Sequence, residues 1–162
     1  YRLELSVNDQ PPLLHVIGGK ITTYRKLAEA ALKLLHPYFP QMQPGRTRET
    51  SLPGGDLGGQ TFDLWFKDFA RANRGFEQAF LRRLARRYGT RTSKIIADAT
   101  SEKDLGEDFG CGLTKREVAY LKSDEWAETA TDVLWRRTKT GLHLKGDSAR
   151  IADRIQACLD KS

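Results

Sequence analysis

From Phe62 to Leu159 the apolar residues recur at helical spacing, and this succession of stripes constrains the fold more than any other feature. Phe62, Trp65, Phe66, Phe69 and Ala70 form one stripe. Phe76, Phe80, Leu81, Leu84 and Tyr88 form a second, which Gly89 stops. Ile95 and Ile96 sit in a short third segment. Thr114-Lys115-Arg116-Glu117 has the form of a capping box and predicts a helix through about Lys122. Thr129 to Asp132 offers similar start chemistry before Val133-Leu134-Trp135, and Gly141 closes that helix. Asp147 or Ser148 caps a last helix bearing Ile151, Ile155, Cys158 and Leu159. Trp65, Trp126 and Trp135 are assigned to the core. The expected fold class is mainly α.

Strand patterns are confined to the beginning. Tyr1, Leu3 and Leu5 alternate with Arg2, Glu4 and Ser6, the pattern of a half-buried strand. Asn8-Asp9-Gln10-Pro11 signals a turn, and Leu13-Leu14-His15-Val16-Ile17 reads as a second strand with His15 packed within it. A lone hairpin is marginal in water, so these strands are expected to have belonged to a larger sheet. A helix from about Thr22 to His36 follows, with Tyr24, Leu27, Ala31, Leu34 and Leu35 on one face and a Glu29–Lys33 pair on another. Pro37 to Asp56 is rich in proline and glycine and reads as a linker. Two domains are therefore expected: a strand–turn–helix stub over residues 1–40 and a compact helical domain over 46–162.

Composition narrows the function classes only modestly. Of 162 residues, 39% are hydrophobic and 30% charged, a balance suited to a globular protein. The net charge of +6 attracts anions without choosing among phosphates, nucleic acid and acidic membrane. Cys111 and Cys158 lack CxxC spacing and read as reduced thiols. His15, His36 and His143 are scattered, and no metal-ligand spacing is present. No apolar run approaches the roughly 20 residues that span a bilayer.

The stretch that carries chemistry runs from Val16 to Arg25: a strand, the pair Gly18-Gly19, Lys20, and a helix start with Thr22 and Thr23. The first turn of a helix offers unpaired N–H groups and partial positive charge. Two glycines let a ligand approach the backbone, and Lys20 adds a full charge. Such a place suits a phosphate, a carboxylate or the pyrimidine edge of a flavin. It is not a nucleotide P-loop, because Leu14 occupies the first glycine position and Ile21 replaces Ser/Thr. On spacing alone the plainer reading stands beside it: a turn whose glycines serve geometry and whose lysine is solvated.

Four ordered stretches carry a family resemblance. Gly18-Gly19-Lys20-Ile21-Thr22-Thr23-Tyr24-Arg25 with Leu27-Ala28-Glu29 resembles the GGKxTTYRxxAE segment of FAD-dependent glycerol-3-phosphate dehydrogenases. Ser51-Leu-Pro-Gly-Gly-Asp56 resembles that family's LPGGD, Arg87-Tyr-Gly89 its RYG, and Asp132 to Thr138 with Gly141-Leu142 its DVLxRRTxxGL. The resemblance implies the C-terminal portion of a flavoenzyme that oxidises sn-glycerol 3-phosphate to dihydroxyacetone phosphate and passes electrons to quinone. It implies that Gly18, Gly19, Lys20, Ile21 and Thr22 line the pyrimidine side of FAD. There Lys20 would stabilise the negative charge near N1 and O2 of the reduced ring, or neutralise substrate charge. The dinucleotide fingerprint GxGxxG does not occur in this sequence, since the family carries it at its N-terminus. The missing N-terminal FAD-binding domain is thus an expected partner, and the chain alone is expected to be inactive and to retain no FAD. The start at Tyr1 in strand-like sequence reads as a piece of something longer. The end at Ser162, without a calcium-binding extension, reads as a bacterial-type enzyme, cytoplasmic and peripheral on the inner face of the cell membrane.

The remaining basic residues have two readings. Arg82 and Arg86 point away from the second stripe, while Arg83 and Arg87 lie at its edge. A solvated charged face is the plainer one; docking of Arg82, Arg83, Arg86 and Arg87 to anionic lipid is the other. Arg136, Arg137 and Lys139 are assigned to internal ion pairs or to a salt-weakened surface cluster of little energetic weight, and Asp56 to a turn or cap. The rivals are a glycerophosphate oxidase using oxygen, a basic helical nucleic-acid-binding module, and a scaffold domain. No nucleic-acid partner is expected, because that reading leaves the glycine-lysine turn unexplained.

Overall fold

The computed structural model describes residues 1–7 and 11–161. Most of the turn signalled by Asn8-Asp9-Gln10-Pro11 lies outside the described residues. The chain divides into two units, Tyr1–Ser51 and Leu52–Ser162.

The first unit holds the strand content of the named elements. β1 (Arg2–Ser6) and β2 (Leu13–Ile17) pair antiparallel, with Leu3 opposite Val16 and Leu5 opposite Leu14. The alternation seen in the sequence is thus a real register. A short 3-10 turn, Ile21–Thr23, leads into α1 (Tyr24–Leu35). Arg25 Nη1 donates to Glu29 Oε1 at 2.7 Å, so Glu29 pairs one turn back and not with Lys33 as expected. No residue described in this unit is buried; Val16, Ile17 and Tyr24 are each more than half exposed. His15 is exposed opposite Glu4, which corrects its assignment as a packed residue.

The second unit is helical and has its own core. α2 (Phe62–Ala72) starts at Thr61, whose hydroxyl accepts from the Leu64 amide. α3 (Gln78–Tyr88) ends at Gly89 in the left-handed region, as the sequence implies. α4 (Thr92–Ile96) is short; α5 (Lys115–Glu125) and α6 (Ser148–Lys161) pack against each other. The predicted stripes meet in one cluster: Phe66, Phe80, Leu84, Ile95, Val118, Leu121, Val133, Ile155 and Leu159 are all buried. Asp147 caps α6 by accepting from the Arg150 amide at 3.0 Å. Asp56 closes a turn by accepting from Gly58 N. The fold is mainly α, as expected.

Two tryptophans depart from the expected core. Trp126 is 83% exposed. It ends α5 in a left-handed conformation, and the next amide, Ala127 N, returns to Leu121 O at 3.0 Å. That cap turns the indole outward while Ala127 takes the buried position. Trp135 is 44% exposed, with its ring packed close on Gly141, where a Cβ would stand 2.7 Å from it. Trp65 does pack against the core, stacked on Phe69.

The segment Asp132–Arg137 is a π-helix. Thr138 N donates to Val133 O at 3.1 Å, and the Thr138 hydroxyl donates to the same oxygen at 2.7 Å. Apolar spacing alone does not separate this wider turn from an α-helix.

Candidate functional site

The glycine-lysine turn is open. Gly18 and Gly19 take φ of 72° and 155°, so both sit in the region that favours glycine. A Cβ on Gly18 would meet nothing within 4 Å, which leaves clear space above the backbone. Beyond them, neither Lys20 nor Thr23 caps the helix start with its side chain. The Thr23 hydroxyl instead donates back to Lys20 O at 3.1 Å. Lys20 and Thr22 are exposed, and Ile21 is 89% exposed. Among the described residues, no hydrogen bond or ion pair engages the Lys20 ammonium. The residues named from sequence are therefore contiguous, solvent-facing and rich in donors. Extended backbone at Lys20 followed at once by the helical turn places the Ile21 and Thr22 amides beside the glycines. These residues fit the flat, electron-rich edge of a ring. They do not form a metal site: no group of three or more His, Cys, Asp or Glu is suited to one among the described residues.

The arginines of α3 divide into two pairs, Arg83 with Arg87 and Arg82 with Arg86, the division that their places on and off the apolar stripe imply. Glu117 is fully buried, although it is a carboxylate. Arg83 Nη2 lies 2.8 Å from its Oε2, and Arg87 Nη1 lies 2.7 Å from its Oε1. The Tyr88 hydroxyl donates to Oε1 at 2.7 Å. Burial, then the Glu117 charge, pushes the Tyr88 phenol far above its usual range, so it remains a donor. Arg83 also donates to Gly112 O at 2.6 Å, and Arg87 to Thr138 O at 3.0 Å. Arg83 and Arg87 thus neutralise an internal charge. Arg82 and Arg86 are exposed and share Asp63, at 2.9 and 3.9 Å. Glu117 also explains half of the predicted capping box: its amide donates to the Thr114 hydroxyl at 3.4 Å, but its carboxylate points inward to the arginines.

Three of the four sequence motifs lock together here. The Gly54 carbonyl accepts from Thr90 N at 3.0 Å. A Cβ on Gly54 would stand 2.2 Å from Tyr88 O, and one on Gly89 would stand 1.9 Å from Gly54 O. The LPGGD loop and the RYG turn are therefore two halves of one backbone contact. Arg87 joins this junction to Thr138, the end of the third motif. Within that third motif Arg136 pairs with Asp132 at 2.7 Å, as expected. Arg137 and Lys139 instead donate to the Glu125 and Trp135 carbonyls. The sequence named the motifs but not Glu117, which was read only as a cap. A buried acid flanked by arginines thirty residues away in sequence leaves no local signal.

Cys111 is an exposed free thiol, and Cys158 is buried within α6. No helix among the described residues is long and apolar enough to cross a membrane.

Comparison with known proteins adds an independent line. The chain is 43% identical over 97% of its length to a protein of Pseudomonas aeruginosa named glycerol-3-phosphate dehydrogenase. It is 43% identical over 86% of its length to the aerobic glycerol-3-phosphate dehydrogenase of Escherichia coli. It is 38% identical over 89% of its length to the D-erythritol 1-phosphate dehydrogenase of Brucella abortus. It spans 31%, 28% and 29% of these relatives. The family described as "C-terminal domain of alpha-glycerophosphate oxidase" matches residues 45–162, the stretch in which the LPGGD, RYG and DVLxRRT motifs interlock. That match covers most of the chain and its whole buried core, and the chain belongs to this glycerophosphate oxidase and dehydrogenase family.

Proposed function

We propose that the chain is the C-terminal part of an FAD-dependent oxidoreductase that oxidises sn-glycerol 3-phosphate to dihydroxyacetone phosphate. The observation that carries the reading is the uncapped, lysine-bearing helix start behind two left-handed glycines. In this proposal Gly18, Gly19, Lys20, Ile21 and Thr22 hold the pyrimidine side of FAD. When bound, FAD supplies the acceptor for the hydride leaving C2 of the substrate. Gly18 and Gly19 let the ring edge approach the backbone. The Ile21 and Thr22 amides and the Lys20 ammonium present positive charge where negative charge gathers. Lys20 does this at no cost of breaking an existing ion pair, since none engages it.

The acceptor is proposed to be quinone, with the enzyme on the inner face of the cell membrane. Any contribution of α3 to an anionic surface falls to Arg82 and Arg86. The similarity to a D-erythritol 1-phosphate dehydrogenase supports a second reading, in which the substrate is a longer polyol phosphate. A test on the complete protein separates these. Its visible spectrum should show flavin, bleached under anaerobic conditions by glycerol 3-phosphate and then recoloured by a quinone faster than by oxygen. Bleaching by D-erythritol 1-phosphate alone favours the second reading; faster recolouring by oxygen favours an oxidase; absence of flavin rejects the proposal.

A further inference from the structure

β1 is an edge strand without the usual protection. Among the described residues its one strand partner is β2, and residues 1–6 make none of the backbone hydrogen bonds that lie outside helices and strands. Alternate residues of β1 therefore turn their N–H and C=O groups away from β2, which makes a template for a further strand. Natural edges are commonly blunted by lysine, proline or a bulge. Arg2–Ser6 holds no lysine and no proline, and its register against β2 runs one to one. Arg2 pairs with Glu4 within the strand, so charges of both signs stand side by side on one face. On the other face lie Leu3 and Leu5 with their partners Val16 and Leu14, and none of the four is buried. Two strands alone are marginal in water, whereas three or more with an apolar face hold together.

The sequence of this edge is self-complementary. With two copies of Tyr1 to Leu5 antiparallel and Leu3 opposite Leu3, Arg2 faces Glu4 and Glu4 faces Arg2. Tyr1 then falls opposite Leu5 at both ends, so the apolar face is matched as well. Centring the pair on Glu4 would instead set two carboxylates against each other. The same construction on β2 sets His15 against His15 and brings no opposite charges together. We propose that β1 is the contact for a second copy of this chain, joined about a two-fold axis at Leu3 into a four-stranded antiparallel sheet. The contact is isologous, so one register supplies both Arg2–Glu4 pairs and joins the two apolar faces into one. It is independent of the flavin reading.

Sedimentation velocity of the 162-residue chain tests this. The native chain is expected in a monomer–dimer equilibrium at micromolar concentration. Arg2→Glu and Glu4→Lys should each weaken the dimer by about tenfold or more, because each turns both cross-strand pairs into like charges. Both positions lie in the first unit, so the core of the second is untouched. An equimolar mixture of the two variants should recover association to within about twofold of the native strength, since opposite charges meet again across the contact. Each variant still carries like charges at positions 2 and 4 of its own strand. Recovery on mixing therefore reads contact between copies and not repair of one hairpin. A native chain still monomeric at about 100 μM, a dimer that neither variant weakens, or a mixture as weak as its components would overturn the assignment.

Discussion

Glu117 illustrates how a charged side chain reaches zero exposure. Its carboxylate accepts from Arg83, Arg87 and Tyr88, so its burial is matched by two cations and a phenol. Removing one side of such an arrangement strands the other. Glu117→Gln is expected to lower stability by about 3–5 kcal/mol in urea unfolding, because two guanidiniums lose their counter-charge. A loss below about 1 kcal/mol would mean that water already solvates the arginines. Asp132 gives a prediction in pH. Hydrogen bonds from the Thr129 hydroxyl and amide, then Arg136, hold its carboxyl well below the usual value near 3.8. A depressed folded value means that the unfolded chain takes up the proton first as pH falls. The stabilisation is therefore complete above pH 3.8 by a clear margin and declines below it. The stability difference between the native chain and Asp132→Asn should be flat near neutrality and shrink below that value; a difference that grows on acidification would contradict the assignment. At this scale the sequence was least legible. Trp126 and Trp135 look like core residues by composition, but a left-handed cap turns Trp126 outward and Trp135 is 44% exposed even though its ring packs on Gly141.

At the scale of elements, the helices of the second unit were legible because their apolar faces repeat at the helical period and three of their ends carry Gly89, Thr114 and Asp147. The π-helix at Asp132–Arg137 was not, since one extra residue per turn hardly alters an apolar pattern. The junction of LPGGD with RYG was visible only as two separate motifs. Its backbone approach makes a sharp prediction. Gly54→Ala and Gly89→Ala should each cost at least about 2 kcal/mol, since each adds a left-handed penalty to a direct backbone clash. Gly58→Ala, left-handed but with nothing within 4 Å of its Cβ, should cost only about 1 kcal/mol. Thermal unfolding of the three variants checks the order, and equal losses would show that conformation alone sets the requirement.

At the scale of the whole molecule, the two units differ in kind. The second buries a continuous core and matches a domain family. The first buries nothing among its described residues, and its apolar side chains on β2 and α1 are partly or mostly exposed. The candidate site was legible in sequence because its parts are contiguous: Gly18 to Thr22 need no long-range contact to assemble. In the proposed function it supplies one edge of the flavin site, so the 162-residue chain is expected to retain no FAD after dialysis. Stoichiometric flavin on it would mean that these residues hold far more of the ring than one edge. The role of Lys20 is tested most directly in the complete protein, by stopped-flow measurement of flavin reduction by glycerol 3-phosphate. Lys20→Ala should slow that step by about a hundredfold or more, the usual consequence of removing one donor aimed at developing negative charge. A reduction rate equal to that of the unaltered enzyme would contradict the account.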